Sequence, residues 1–387
     1  MKQFLSFLLC CTLTLSSPVL AAENSEADLS VSAPSVLLME ASTGTVVYEK
    51  NAHEIRHPAS ITKIMTLILI FDAIERGQIS LTDTVTVSEY AASMGGSQVF
   101  LEPGETQTVE TMIKCISVAS ANDACVAMAE YLCGSESEFV RQMNERARGL
   151  GMKDTTFVNC CGLDTEGHMT SAYDVALMSR ELTVNHPEIH NYCTIWMENI
   201  THVTKQGTKE FGLSNTNKLV RFYDGTTGLK TGYTSAAGYC LSASAERGGM
   251  ELVAVVLHCK TSVDRFESAK ALLNYGFSGY ALVTPQPEGG IPPVPVVLGR
   301  QDSITPVPER SEPLLLEIKL ASQVPTAVTV DESVQAPVEA GQRLGTMTAT
   351  AGERLLAEIP LVAPEDVPAR TFPELWAEFL KSICLSA

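Results

Sequence analysis

Residues 58–66 read Pro58-Ala59-Ser60-Ile61-Thr62-Lys63-Ile64-Met65-Thr66. The proline pushes His57 away from helical geometry, so a helix begins only after it. From Ser60 to about Arg76 apolar residues fall on nearly every face (Ile64, Met65, Leu67, Ile68, Leu69, Ile70, Phe71), and Gly77 closes the run. A helix of that kind belongs in the middle of its domain. Ser60 opens it, and Lys63 follows one turn on, on the same face. A serine hydroxyl is a poor nucleophile at neutral pH and needs a neighbour to take its proton. A lysine does this only when it is held neutral, by burial and by a second cation nearby.

Outward from this helix, the pattern places strands at both ends of one domain. Residues 35–40 and 45–50 are apolar strands joined by the turn signal Ser42-Thr43-Gly44. Helices are expected at about 108–118, 121–133 and 136–149, the last with a capping box of Ser135 and Glu138, and another from Ser171 to about Thr183. Strand character returns over 225–257, followed by a helix at 263–274. Strands at the termini with helices between them predict an α/β (α+β) domain over 33–283, its sheet completed by both ends of the segment. A Pro/Gly-rich linker follows at 284–295. From 296 to 366 short β-rich runs (Leu314–Leu320, Ala327–Val330, Leu355–Val362) alternate with Pro and Gly turns, predicting a small all-β sandwich.

The two ends of the chain read as addresses. Lys2, the apolar run Phe4–Leu15 and the small residues Ala21 and Ala22 make 1–22 a secretory signal, so the protein is expected outside the cytoplasm. At the other end, 370–387, Phe372, Leu375, Trp376, Phe379, Leu380 and Ile383 form one helical face. Thr371 with Glu374 caps the helix, and Pro373 is tolerated in its first turn. The aromatic face suits a membrane interface, so attachment to the outer face of the cytoplasmic membrane is expected.

Composition narrows the remaining classes. With 27 Lys+Arg against 45 Asp+Glu, a net charge of −18 and no basic run, nucleic acid is excluded as a partner. Of eleven cysteines, two leave with the signal. Cys115, Cys125 and Cys133 lie in apolar helices and Cys160 is adjacent to Cys161, so buried free thiols are expected rather than crosslinks. His53-Glu54-Ile55-Arg56-His57 has the spacing of a zinc site, but Pro58 denies it the helix that would align both imidazoles. No metal is expected. His186 and His190 read as surface residues.

Two further motifs follow the first in order, Ser120-Ala121-Asn122 and Lys230-Thr231-Gly232. A Ser-x-x-Lys alone arises by chance about once in a chain of this length. The ordered set does not. Ser120 falls in a break between two helices and is positioned to pass a proton to a leaving amine. Asn122 orients Lys63 and a substrate amide, and Lys230 enters a strand as the second cation.

These motifs resemble those of the penicillin-binding proteins and serine β-lactamases. They are most similar to the low-molecular-mass D-alanyl-D-alanine carboxypeptidases (peptidase S11-like). The phrases that carry the likeness are 58–66, Gly228-Leu229-Lys230-Thr231-Gly232-Tyr233-Thr234 with Ala237-Gly238-Tyr239 after it, Gly162-Leu163-Asp164, and Thr170-Ser171-Ala172-Tyr173-Asp174. The resemblance covers about 33–283, and the β domain with its tail helix resembles the same family's C-terminal domain and anchor. Ala121 stands where this subgroup often has glycine. The resemblance implies a transpeptidase-like domain that releases the terminal D-alanine of peptidoglycan stem peptides through an acyl-serine. It implies β-lactams as covalent inhibitors and no cofactor. Ser60, Lys63 and Ser120 would be catalytic. The N–H groups of Ser60 and Tyr233 would form the oxyanion hole. Asn122, Lys230, Thr231, Gly232, Tyr233, Thr234 and Arg265 would bind substrate, Arg265 at the terminal carboxylate with Thr231 and Thr234 as further candidates. A β-lactamase would need a Glu-x-x-Leu-Asn loop, and Glu181 to Asn185 lacks the leucine before the asparagine. A transpeptidase or endopeptidase shares the motifs, and a non-catalytic wall-binding protein would not need them intact.

Overall fold

The computed structural model describes residue 29 and residues 31–385, apart from 205, 206, 311, 323 and 353. The signal expected at 1–22 lies outside the described residues. Strand β1 (Ser35–Glu40) is buried along its whole length and turns into β2 (Val46–Lys50). The turn is held by the buried Glu40 carboxylate, which accepts from the N–H groups of Ser42 (3.0 Å) and Thr43 (2.7 Å). The helix expected from Ser60 begins differently. Ala59–Thr62 is a 3-10 turn, and helix α1 (Lys63–Glu75) starts at the lysine. Ala59 takes a positive φ of 48°, which bends the chain out of helical geometry just before the serine.

Short strands β3 (Thr84–Thr86) and β4 (Thr106–Thr108) pair across α2 (Glu89–Ala92). Helices α3 (Val109–Val118), α4 (Asn122–Cys133), α5 (Glu136–Gly149) and α6 (Ala172–Asn185) follow as the apolar periods predict. The side chains of Thr108, Ser135 and Ser171 cap α3, α5 and α6. Only half of the expected capping box forms, because the Glu138 carboxylate engages Arg141 instead of reaching back. One turn, α7 (His190–Cys193), leads to a hairpin of β5 (Met197–Thr204) and β6 (Gly207–Ser214) that the sequence reading did not expect. After α8 (Leu219–Phe222) come β7 (Thr226–Thr234), β8 (Gly238–Arg247), β9 (Met250–Cys259) and helix α9 (Ser262–Gly279).

The main sheet has the order β2-β1-β9-β8-β7, antiparallel throughout, so β1 is paired with both β2 and β9. Leu37, Met39, Val253 and Val255 pack with α1 and its neighbours on one face, while Val36, Leu38, Leu252 and Ala254 pack with Leu272 and Leu273 of α9 on the other. With both faces covered, the strands read as continuous apolar runs. The strand that carries Lys230 is the edge.

The second domain is all-β apart from one turn. Strand β10 (Tyr280–Val283) pairs with β14 (Leu314–Glu317). The others are β11 (Val294–Val297), β12 (Ser303–Ile304), β13 (Val307–Pro308), β15 (Thr326–Val330), β16 (Val334–Gln335), β17 (Arg343–Ala351) and β18 (Arg354–Val362). They form sheets β12-β11-β16 and β13-β18-β17-β15. Residues 318–320, read as strand, instead lie in one helical turn, α10 (Ile318–Ala321). Helix α11 (Phe372–Leu385) ends the described chain, and Thr371 N donates to Glu374 Oε2 at 2.7 Å.

Two histidine readings meet the structure differently. His53 and His57 stand on a loop, and His53 Nδ1 lies 2.7 Å from Asp154 Oδ2. His186, read as surface, is buried at 2% exposure, with Nε2 3.0 Å from Asp72 Oδ1 and its ring stacked on Phe71. Its partners come from α1, far away in sequence, which is why spacing alone misplaced it. His190 is half-buried, 3.2 Å from Glu251 Oε1. The eight cysteines from Cys115 to Cys259 are free, seven of them buried.

Candidate active site

Ser60 stands on the 3-10 turn between two close approaches of the chain. On one side runs the loop 159–164, fastened because Asn159 Oδ1 accepts from Gly162 N at 2.6 Å. A Cβ on Gly162 (φ 90°) would lie 1.9 Å from Ala59 O and 2.9 Å from Ser60 N, so only glycine lets the loop pass. On the other side is β7, where a Cβ on Gly232 would lie 3.1 Å from both Pro58 O and Ala59 Cβ. The serine is thus wedged between a loop and the edge strand.

Lys63, fully buried, donates from Nζ to Asn122 Oδ1 (2.6 Å), Cys161 O (2.6 Å) and Ser60 Oγ (3.1 Å). As an ammonium it satisfies all three N–H groups. Asn122 Nδ2 donates to Gly95 O at 2.7 Å, which fixes the amide with its oxygen towards the lysine. The Asn122 and Cys161 oxygens can only accept. When Lys63 is neutral its two remaining N–H groups therefore stay on them, and its lone pair falls to Ser60 Oγ, the one partner that can donate. This arrangement of acceptors turns that lone pair towards the serine proton.

Lys230 is buried at 1% exposure on β7, and its Nζ donates to Thr231 O at 3.0 Å. Burial, followed by the charge of Lys63, pushes its amine down to about 7. Ser120 is buried in the break between α3 and α4 with a φ of 62°, and the next turn is tied down by Asn122 N donating to Ser97 O at 2.7 Å. Thr231 Oγ1 donates to Thr216 Oγ1 (2.7 Å) and Thr234 Oγ1 to Asp164 Oδ1 (2.8 Å), while Tyr233 is exposed with its ring 4.3 Å from that of Tyr239.

Arg265, at the start of α9, is buried. Its Nη1 donates to Gly232 O (3.2 Å) and Cys240 O (3.3 Å) and its Nη2 to Ser262 Oγ (3.2 Å), while Nε is buried without a partner. The guanidinium thus grips the carbonyls of β7 and β8 rather than presenting a free fork.

The structure joins Ser60, Lys63 and Asn122 by direct bonds and sets Gly232 against the serine turn. The lowered amine is Lys230, with Lys63 as the neighbouring charge, whereas the sequence reading cast Lys230 as the cation. Sequence reading did not single out Thr216, Gly95, Ser97 or the Cys161 carbonyl. The Gly95-Gly96 doublet was a visible signal for the loop, whereas Thr216 had none, because its role depends on a tertiary contact with β7.

The family model described as D-alanyl-D-alanine carboxypeptidase matches residues 21–261, and the one described as penicillin-binding protein 5, C-terminal domain, matches residues 286–369. The sequence is 41% identical to D-alanyl-D-alanine carboxypeptidase DacF of Bacillus subtilis over 380 residues, covering 96% of each chain. Penicillin-binding protein 5 from Haemophilus influenzae is similar in structure, with a TM-score of 0.73 and 28% identity over 87% of this chain and 98% of that one. Penicillin-binding protein D2 from Listeria monocytogenes, solved in its ampicillin-bound form, gives a TM-score of 0.54 and 31% identity over 64% of this chain and 99% of that one. Domain order and fold are those of the penicillin-binding proteins. The chain belongs to the D-alanyl-D-alanine carboxypeptidase family.

Proposed function

We propose that this chain is a serine-type carboxypeptidase that removes the terminal D-alanine from peptidoglycan stem peptides. Lys63 Nζ takes the proton of Ser60 Oγ as the oxygen attacks the carbonyl of the penultimate D-alanine. The N–H groups of Ser60 and Tyr233 receive the oxyanion. Ser120 gives its proton to the departing amine and takes in its place the one held by Lys63, D-alanine leaves, and water hydrolyses the acyl-serine. Lys230, Thr231 and Thr234 line the edge strand on the side of the terminal carboxylate. The observation that carries this reading is the acceptor set around Lys63, which leaves its lone pair only the serine proton. A β-lactam carries a strained amide that would acylate the same oxygen, in line with the ampicillin-bound structure of the Listeria protein. Mass spectrometry of the protein with a labelled penicillin and with a tripeptide ending in D-Ala-D-Ala tests the proposal. Acyl mass on the Ser60 peptide and released D-alanine support it, and a label on any other residue overturns it.

The enzyme acts outside the cytoplasm, carried there by the signal at 1–22 and held at the membrane surface by α11. No helix among the described residues is long and apolar enough to cross a membrane. The aromatic face of α11 suits attachment at the interface. Phe372, Trp376, Phe379 and Leu380 are exposed, while Glu374 pairs with Arg300 of the β domain at 3.2 Å. At about 3.6 residues per turn Glu374 lies opposite Phe372, Trp376 and Phe379. The β domain therefore touches the polar side of the helix and leaves its aromatic side open to lipid.

A further inference from the structure

We propose that Phe100, with Phe211 beside it, is a specificity residue: an apolar rest for the part of the stem substrate that lies upstream of the D-Ala-D-Ala bond. The inference deepens the carboxypeptidase reading and rests on it.

Phe100 belongs to a segment fastened to the active site by two consecutive residues of α4. Asn122 holds Ser97 O through its N–H and Gly95 O through Nδ2, both at 2.7 Å. The buried Asp123 carboxylate accepts from Val99 N and Leu101 N, each at 3.1 Å. A Cβ on Gly96 (φ 83°) would lie 2.8 Å from Asn122 Nδ2, so the segment runs directly along that amide. Val99 and Leu101 point inward and are buried.

Between these anchors Phe100 takes a φ of 63° and is 64% exposed. The left-handed region is disfavoured for a bulky side chain and suits glycine or asparagine. A loop needing only this backbone shape would carry one of those. Here a phenyl ring is kept at a strained position and turned outward, which marks a side chain retained for what it meets. It meets Phe211 of β6 edge-on, with ring centroids 6.0 Å apart. Phe211 is itself held in place. Its hairpin is clasped to the same region by Gln107 Nε2 donating to Thr201 O (2.8 Å) and by the buried contact of His202 Nδ1 with Glu105 Oε1 (2.7 Å).

The pair thus sits on the segment that Asn122 and Asp123 fasten, beside the amide that holds Lys63. The leaving D-alanine offers a carboxylate for β7 and its neighbours to read. The acyl side offers the rest of a long stem, whose aliphatic stretches and sugar faces suit aromatic rings rather than directional polar groups. Asn122 orients the acyl-side amide, and the Phe100–Phe211 pair takes what lies beyond it.

The test uses the purified full chain and two substrates, N-acetyl-D-Ala-D-Ala and a disaccharide pentapeptide ending in D-Ala-D-Ala, with D-alanine release as the readout. Phe100→Gly removes the ring and suits the backbone, so its thermal midpoint is expected to hold or rise. The ratio of kcat/KM for the long over the short substrate is expected to fall about tenfold, mostly through KM. Phe211→Ala lowers it in the same direction, and Phe100→Tyr restores it. An unchanged ratio, or an equal loss on both substrates, overturns the proposal. A wild-type chain that releases D-alanine from neither substrate removes the activity on which it rests.

Discussion

Lys230 is held near neutrality by its own burial and, after that, by the positive charge of Lys63. In an unfolded chain the same amine titrates near its ordinary value of about 10.4. Between about 7 and that value the unfolded state binds more protons than the folded one. This group's contribution to stability therefore rises with pH across the window and is lost as pH falls to 7. At most the slope is about 1.4 kcal/mol per pH unit. Urea unfolding from pH 7.5 to 9.5 is expected to show a steeper rise for the wild type than for Lys230→Met. Parallel curves would mean that the buried amine does not titrate there.

Removing the base should slow acylation without abolishing recognition. Lys63→Ala is expected to reduce the rate of penicillin acylation by about a thousandfold, within the usual reach of general-base catalysis. Ser60→Ala should accept no label at all. Stopped-flow or gel-based labelling measures both, and a Lys63→Ala protein labelled at the wild-type rate would reject the lysine as base.

Gly162 offers a test of the serine's placement that touches no reacting group. An alanine Cβ there would lie 1.9 Å from Ala59 O, so the serine turn must shift. A displacement on the order of 1 Å at the nucleophile costs about a hundredfold in rate. Gly162→Ala should therefore lose acylation far beyond its loss of stability, read by labelling rate beside thermal unfolding. If acylation survives intact, the loop does not set the position of Ser60.

Arg265 holds two strand carbonyls, and one pair of substrates separates that task from the proposed contact with the terminal carboxylate. Arg265→Ala is expected to weaken hydrolysis of peptides with a free terminal carboxylate more than that of their ester analogues. Penicillin acylation should also fall, by a smaller factor, because the carbonyls of Gly232 and Cys240 lose their donor. Equal losses on acid and ester would assign the residue wholly to the strands.

The tail is tested by cell fractionation of the full chain and of one ending at Ala369. The full chain is expected with membranes and the shortened one in the soluble extracytoplasmic fraction. Soluble recovery of both would assign the aromatic face another role.

Sequence alone exposed those parts of the fold that have a period or a motif. The burial of Lys63 followed from a helix apolar on every face, and β1 from six consecutive residues able to be buried on both sides. The β5–β6 hairpin was invisible because Thr201, Lys209 and Glu210 lie on exposed strands whose pairing is set by contacts elsewhere. The bend at Ser60 was missed because it depends on Ala59, a residue with no intrinsic call for positive φ. His186 was misplaced because its burial depends on Asp72, which spacing along one helix does not reveal. Arg265 was found, but its grip on β7 and β8 exists only once both strands pass beneath it.

The interleaving of β1 and β9 also governs when this enzyme comes into being. Ser35 pairs with Leu257 and Glu40 with Leu252, so this ladder joins the first strand of the main sheet to its last in chain order. Such distant pairings close a very long loop before any contact rewards them, which slows folding. During synthesis β1 has no partner on its β9 side until β9 is made. The pocket around Lys63 stays incomplete for the same interval, because Lys230 enters on a strand joined to β1 only through β8 and β9. A chain released before residue 259 would carry Ser60 and Lys63 and still lack the complete strand that joins β8 to β1.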